Sequence, residues 1–165
     1  GYRTAAVEIL RQADDLGLEV REVVHATASG GTQAGLVAGM AIRRSTVPVL
    51  GISAGAPADY LAPVVRELAE GVIARIGIDR EIADDAVVVD DDYVGEEYGI
   101  PTAEMHEAVS MCARLEGLLL DPVYSGKAMA GLIGHIRAGR YRASASANDV
   151  VFIHTGGTPA LFAYR

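Results

Sequence analysis

Short apolar runs alternate with helical patterns along the whole chain, and this alternation constrains the fold more than any other feature. The runs predict strands at 22–27, 47–53, 86–89 and 150–154, and the helical patterns fall near 3–16, 32–43, 58–76, 101–115 and 128–138. Apolar strands separated by helices are typical of βαβ units, in which a parallel sheet is buried on both faces. We therefore predict an α/β fold with a mainly parallel sheet and helices on both faces.

Composition narrows the possible classes of function. The 165 residues suffice for one domain with a core, since 50% of them are hydrophobic. The net charge of −8 disfavours a nucleic-acid surface, and no apolar stretch is long enough to cross a membrane. The single cysteine, Cys112, shares a helical pattern with Met105, which predicts a buried thiol. We expect a cytoplasmic protein with neither nucleic acid nor membrane as a partner.

Acidic residues flank the third predicted strand at 84–85 and 90–92, and two glutamates follow at 96–97. Oxygen-rich sites for Ca²⁺ or Mg²⁺ need carboxylates at set spacing, and no such order is present. Charged residues beside a strand are typically solvated, so we expect no metal site here. Farther along, the Ala- and Ser-rich segment 143–148 predicts a surface loop.

The connection between the first predicted strand and its helix is rich in glycine. It consists of Ala28, Ser29, Gly30, Gly31, Thr32 and Gln33. A strand that opens into a helix through small residues directs free N–H groups at one point, where the helix dipole also favours an anion. Both glycines permit positive φ and close approach, and the two hydroxyls add donors. The spacing fits neither a Walker loop nor a dinucleotide fingerprint. The loop predicts a site for a small phosphorylated ligand, with a merely tight turn as the alternative.

Two further segments predict polar groups at the same edge of the sheet. The segment 121–127 places Tyr124 and Ser125 at an expected strand-to-helix corner, where polar side chains reach a cleft. A core tyrosine and a helix-capping serine are the alternative. The segment 155–157, Thr-Gly-Gly, follows the last strand and permits close approach of a flat ligand. Loops at the carboxyl ends of parallel strands form the crevice in which such sheets bind ligands.

These segments resemble the D-cysteine desulfhydrase/1-aminocyclopropane-1-carboxylate deaminase family. Its members are fold-type II pyridoxal-phosphate enzymes, related to the tryptophan synthase β subunit. The resemblance is carried by 28–36, 120–132 and 154–162, and the segment 93–102 also fits. It implies a tryptophan synthase β-like fold, pyridoxal 5'-phosphate as the cofactor, a small amino acid as the substrate and a homodimer.

The resemblance also implies roles for individual residues. It assigns cofactor binding to Ala28, Ser29, Gly30, Gly31, Thr32, Ser125, Thr155 and Gly156. Tyr124 matches the family's active-site tyrosine, and Thr155 matches the hydroxyl that hydrogen bonds the pyridine nitrogen in the desulfhydrases. Deaminases of the family carry a glutamate directly after that tyrosine, where this chain has Ser125.

This departure favours a D-cysteine desulfhydrase, a lyase that releases sulfide, ammonia and pyruvate. A 1-aminocyclopropane-1-carboxylate deaminase and an L-cysteate sulfo-lyase are alternatives within the family. A non-catalytic fragment that binds phosphate or a partner chain is an alternative of another class.

Family members are considerably longer, and their Schiff-base lysine lies in the N-terminal half. The one lysine here, Lys127, matches the helix start that follows the tyrosine. It is expected to be either a helix-start charge or a charge that lies behind the residues of the site. We therefore expect one α/β domain over 1–165, corresponding to the C-terminal portion of such an enzyme. Without the N-terminal half and its anchoring lysine, this chain alone is expected to be inactive.

Overall fold

The computed structural model describes residues 1–142 and 149–164. In chain order its elements are α1 (Tyr2–Leu16), β1 (Val20–Thr27), α2 (Gly31–Ile42), β2 (Val49–Ser53), α3 (Ala58–Ile76), β3 (Val87–Asp90), α4 (Ala103–Glu116), α5 (Ser125–Arg137), β4 (Asp149–Ile153) and a 3-10 helix at Thr158–Phe162. Each predicted helix and strand is present within a few residues of its expected bounds. The surface loop predicted at 143–148 lies outside the described residues.

The strands form one four-stranded sheet in the order β3-β2-β1-β4. Every pairing in it is parallel, with Val23 of β1 opposite Val49 of β2 and Val151 of β4. Because all strands run the same way, their carboxyl ends lie at one edge of the sheet. The central position of β1 puts the glycine-rich loop in the middle of that edge. The predicted parallel sheet is confirmed.

Helices cover the sheet on both faces, as the apolar strands require. On one face Val23 packs in a cluster with Leu36 of α2 and Val65 of α3, and α1 lies outside α2. On the other face Val24 packs with Leu132 of α5, while α4 lies against α5. Adjacent residues of β1 thus enter different cores, which is the period-2 pattern of a fully buried strand.

The segment before α5 differs from the prediction. Residues 117–124 form no strand, so Tyr124 and Ser125 lie at a connection between two helices. The cause is the carboxylate of Asp121, which accepts the N–H groups of Val123, Tyr124 and Ser125 at 2.9, 2.8 and 2.7 Å. These bonds satisfy donors that a helix start leaves free. As a result α5 begins at Ser125, three residues before the predicted start at 128.

Two of the acidic residues around β3 have structural partners. Asp90 contacts the imidazole of His135 at 2.7 Å, and Asp91 accepts the N–H of Ala58 at 2.8 Å at the start of α3. Asp92, the third carboxylate of this group, is exposed. Cys112 is buried on the core face of α4, as predicted. Among the described residues, none of the helices has the length and hydropathy needed to cross a bilayer.

Candidate functional site

A cavity of about 340 Å³ opens at the carboxyl ends of β1 and β4. The predicted site residues that line it are Ala28, Ser29, Gly30, Thr32, Tyr124, Thr155 and Gly156. Tyr2, Ala26, Thr27 and Gly157 complete the lining. The volume falls in the range of small-molecule sites. None of the lining residues that the structure describes carries a formal charge, so the polar contacts that they offer come from backbone groups and hydroxyls.

The glycine-rich loop ends in an open helix N-terminus. Gly30 is the N-cap of α2, and no side chain of the described residues caps this helix. The first amide bonded within the helix is that of Ala34, which donates to the Gly30 carbonyl at 2.8 Å. The preceding N–H groups of α2 therefore remain available, with the positive end of the helix dipole behind them. This arrangement suits an anion.

Only one of the two loop glycines has the expected backbone conformation. Gly30 has φ +77, whereas Gly31 is the first helical residue and has a negative φ, so the prediction was wrong for Gly31. A Cβ on Gly30 would lie 3.2 Å from Cγ2 of Val65 and 3.4 Å from Cδ1 of Leu68. Both the backbone conformation and the packing against α3 therefore require glycine at position 30.

The loop after β4 is fixed from two sides. Gly156 and Gly157 have φ +102 and +92, and a Cβ on Gly157 would lie 2.6 Å from Oδ1 of Asp121. The imidazole of His154 accepts the N–H of Gly156 at Nδ1 and donates from Nε2 to the Leu119 carbonyl, both at 3.1 Å. A Cβ on Gly156, in contrast, would meet nothing within 4 Å. The loop thus presents an open backbone surface beside Thr155.

Tyr124 faces this cavity with a protonated phenol. Its hydroxyl hydrogen bonds to the hydroxyl of Tyr98, and the two rings meet edge to face with centroids 5.9 Å apart. This hydrogen bond, followed by partial burial, raises the pKa of Tyr124 to about 12. The phenol therefore keeps its proton at neutral pH. Tyr98 was not among the predicted site residues, although it lies in the segment 93–102 that contributed to the resemblance.

Residues 1–156 match the family model for pyridoxal-phosphate dependent enzymes. This chain belongs to that family. The chain is 38% identical, over its full length, to a 1-aminocyclopropane-1-carboxylate deaminase from Burkholderia cenocepacia. It is also 40% identical, over 99% of its length, to a protein of the same name from Variovorax paradoxus. It covers 48% of each protein, so the chain spans about half the length of these curated relatives.

Solved structures confirm the fold class of this chain. One described as an ACC deaminase homologue superposes with a TM-score of 0.83 at 31% identity, over 99% of this chain and 47% of that one. A threonine deaminase superposes with a TM-score of 0.58 over 95% of this chain and 57% of that one. At 16% identity, this second likeness shows the fold alone.

The cavity fits the cofactor of the family. The open amides of α2, with the hydroxyls of Ser29 and Thr32 beside them, suit a phosphate group. The flat backbone surface at Gly156 suits an aromatic ring, and the neighbouring hydroxyl of Thr155 is a neutral partner for a ring nitrogen. No lysine lines this cavity. The described residues therefore provide noncovalent contacts to pyridoxal 5'-phosphate without a covalent anchor.

The structure places two predicted residues differently from expectation. Ser125 is 1% exposed, and its hydroxyl donates to Oδ1 of Asp121 at 2.6 Å and accepts the Asp121 N–H at 2.9 Å. It points into the start of α5 and does not line the cavity, so cofactor binding by Ser125 stays a prediction without support from this geometry. Lys127 is fully buried, whereas a charge at a helix start is normally solvated. Its burial results from backbone partners in the 93–98 segment.

Sequence reasoning missed the remaining cavity residues for identifiable reasons. Ala26 and Thr27 were predicted only as the last residues of a strand. Their position at the carboxyl end of β1 was the signal that could have placed them at the cavity. Tyr2 begins α1 and reaches the cavity because α1 packs closely on α2. The contact is so close that a Cβ on Gly35 would lie 2.8 Å from Cβ of Tyr2. Only the helix packing shows this proximity.

Proposed function

We propose that this chain forms the phosphate- and ring-binding part of a pyridoxal-phosphate-dependent deaminase, with 1-aminocyclopropane-1-carboxylate as substrate. The observation that carries the proposal is one cavity, without a formal charge among its described lining residues, at which the open N-terminus of α2, Tyr124 and Thr155 meet. The two relatives match along the whole of this chain, or 99% of it, and both are named 1-aminocyclopropane-1-carboxylate deaminase, which supports the choice of reaction.

Each group at the cavity has a distinct task. The amides of α2 bind the phosphate, and each N–H donated to a charged oxygen contributes about 1.5–3 kcal/mol. Thr155 orients the ring through a neutral hydroxyl. The bound cofactor supplies an electron sink that weakens bonds at the α-carbon of an amino acid. Tyr124 holds a proton at its phenolic oxygen, and a positioned acid of this kind can protonate a substrate carbon or leaving group.

A second candidate is elimination of sulfide from D-cysteine, and the environment of Ser125 favours it. The resemblance assigns a glutamate to this position in the deaminases. Here the position 125 side chain faces the carboxylate of Asp121, which is 0% exposed. A glutamate in the same orientation would put two carboxylates together in the interior, which is unfavourable. The described lining of the cavity thus carries no acidic group at the place where the resemblance assigns one to the deaminases.

A substrate panel decides between these reactions. The full-length protein loaded with pyridoxal 5'-phosphate is given 1-aminocyclopropane-1-carboxylate, D-cysteine, L-cysteine and L-cysteate, and the release of ammonia, sulfide and sulfite is measured. Ammonia from the cyclopropane substrate at the highest kcat/KM supports the deaminase. Faster sulfide release from D-cysteine overturns it in favour of the second candidate. Cofactor binding without turnover of any substrate contradicts both.

Tyr124→Phe tests whether the phenol takes part in the reaction. A positioned acid contributes about 10²-fold or more to rate, so we expect kcat to fall by about 10²-fold. Cofactor affinity should stay unchanged. Tyr60→Phe is the matched control because Tyr60 is 63% exposed on α3 and does not line the cavity. Equal kinetics in the two variants would remove Tyr124 from the mechanism.

A further inference from the structure

Lys127 is the one lysine of the chain, and its side chain is fully buried. Its ammonium donates to the carbonyl of Val94 at 2.6 Å and to that of Glu97 at 3.3 Å. Within residues 1–142 and 149–164, no carboxylate lies within ion-pair distance of it. Burial of a cation is costly unless polar groups compensate for lost water. If this position served packing alone, an apolar side chain would be more favourable. The buried charge of Lys127 therefore needs another explanation.

The two carbonyls that bind Lys127 belong to the segment that carries Tyr98. Glu97 directly precedes Tyr98, whose hydroxyl contacts that of Tyr124 at the cavity. The ring of Tyr98 also packs on Gly55, where a Cβ would lie 2.9 Å from Cβ of Tyr98. Lys127 itself lies on α5, two residues after Ser125. The ammonium therefore connects the Tyr98 segment to α5, the helix that directly follows Tyr124.

We propose that Lys127 is a positioning residue that holds the Tyr98 hydroxyl against Tyr124 by binding the Val94 and Glu97 carbonyls. Two charge–dipole contacts fix the backbone immediately before Tyr98, and the edge-to-face ring contact then fixes its phenol. Lys127 touches neither the cavity nor the cofactor site. The inference rests on the proposed function only in taking Tyr124 as a residue of the reaction site.

The test is the pKa of Tyr124 in Lys127→Met, measured on the full-length protein without substrate. Tyrosine ring-carbon NMR resolves the phenols, and the signal that disappears in Tyr124→Phe is assigned to Tyr124. In the wild type this pKa is raised to about 12, and the Tyr98 hydrogen bond is the largest cause, ahead of partial burial. Release of Tyr98 should lower it toward about 10, the value of a free phenol. Tyr98→Phe should produce the same fall.

The sign of the change separates positioning from simple charge. Removal of a nearby cation disfavours the phenolate and would raise the pKa of Tyr124. Loss of the Tyr98 contact lowers it. An unchanged or raised pKa in Lys127→Met therefore overturns the proposal.

Arg66→Met is the matched control for general loosening of the structure. The Arg66 guanidinium also binds backbone carbonyls, those of Ile82, Ala83 and Asp84 at 3.0–3.1 Å. Those partners lie away from the cavity, so the pKa of Tyr124 should stay at its wild-type value in this variant. An equal fall in Arg66→Met would contradict a specific role of Lys127.

If Lys127→Met does not fold, Lys127→Gln replaces it, because the shorter, neutral amide cannot reach both carbonyls. The same fall in the pKa of Tyr124 is expected, and no fall contradicts the proposal. In the loaded enzyme, Lys127→Met should lower kcat by about tenfold and leave cofactor affinity unchanged. The pKa measurement needs no turnover. If the substrate panel shows no turnover but the pKa of Tyr124 falls in Lys127→Met, the proposed reaction is refuted and the positioning role of Lys127 is supported.

Discussion

The loops after β1 and β4 begin alike and end differently. Both follow neighbouring parallel strands, both contain two adjacent glycines, and both line the same cavity. The first leads into α2, a helix of 12 residues whose N-terminal amides are uncapped by side chains. The second leads into a 3-10 helix of only five residues. A long helix concentrates free donors and a dipole at its start, and one 3-10 turn does not.

This difference divides the cavity into two parts. The β1 side suits a phosphate, since it offers several N–H groups aligned with a helix axis. The β4 side offers Thr155 and an open glycine surface at Gly156, which suit a flat and weakly charged ring. Two similar glycine motifs thus acquire different tasks from the elements that follow them.

Gly30→Val should have the largest effect, because it displaces the loop that begins α2 and thereby moves the N–H groups of the anion side. A β-branched residue at φ +77 is strained, and its side chain would enter the space of Val65 and Leu68. We expect the affinity of the full-length enzyme for pyridoxal 5'-phosphate to fall by about 10²-fold or more, measured by fluorescence titration.

Gly77→Val is the control for strain alone. Gly77 ends α3 at φ +73, and a Cβ there would meet nothing within 4 Å. It should reduce stability without weakening cofactor binding. Equal loss of affinity in both variants would show that strain, and not the anion site, accounts for the effect.

A second contrast lies below the loops, where His25 of β1 is opposite Ile153 of β4. Burial lowers the pKa of His25 from 6.5 to about 4. The unfolded chain therefore binds this proton at higher pH than the folded one. The contribution of the neutral His25 to the free energy of unfolding is complete above pH 6.5 and is lost as pH falls toward 4. The total loss is about 3 kcal/mol.

Urea unfolding of the full-length protein across that pH window measures this contribution. His25→Leu should remove it and flatten the acid dependence, making β1 resemble β4 at this position. His106→Leu changes an exposed histidine on α4 and should leave the dependence intact. The same acid slope in His25→Leu and the wild type would contradict a buried neutral imidazole.

The smallest expected effects separate the two sides of the cavity. Ser29→Ala should weaken cofactor affinity by up to about tenfold at constant kcat, since one hydroxyl contact to the phosphate is lost. Thr155→Val, which keeps the shape of the side chain, should lower kcat by about tenfold at constant affinity. Ser110→Ala on the exposed surface of α4 is the control. If both cavity variants change the same parameter, the division is wrong.

Much of this architecture could be predicted from the sequence, because the deciding signals are local. The apolar strands predict a parallel sheet, and the glycine loop at Gly30 predicts an open helix start. The side-chain directions around Asp121 could not be predicted. Its carboxylate binds three successive amides, and this cap both starts α5 early and turns Ser125 inward. The spacing of residues in the sequence does not show which backbone N–H groups a carboxylate such as that of Asp121 will bind.

Contacts between segments that are distant in the chain also could not be predicted from the sequence. Tyr98 and Tyr124 meet through their hydroxyls, although 26 positions separate them in the chain. Tyr2 reaches the cavity through the packing of α1 on α2 at Gly35. In each case tertiary packing brings the residues together, and neither pattern nor propensity records it.

The most direct test of the central claim compares pyridoxal 5'-phosphate with pyridoxal, which lacks the phosphate. Both ligands carry the same ring and aldehyde, so the ratio of their dissociation constants isolates the α2 N-terminus. We predict that the full-length wild type prefers the phosphorylated ligand by about 10²-fold or more, and that Gly30→Val removes most of this preference. Equal affinities in the wild type, or an unchanged ratio in Gly30→Val, would contradict phosphate binding at α2.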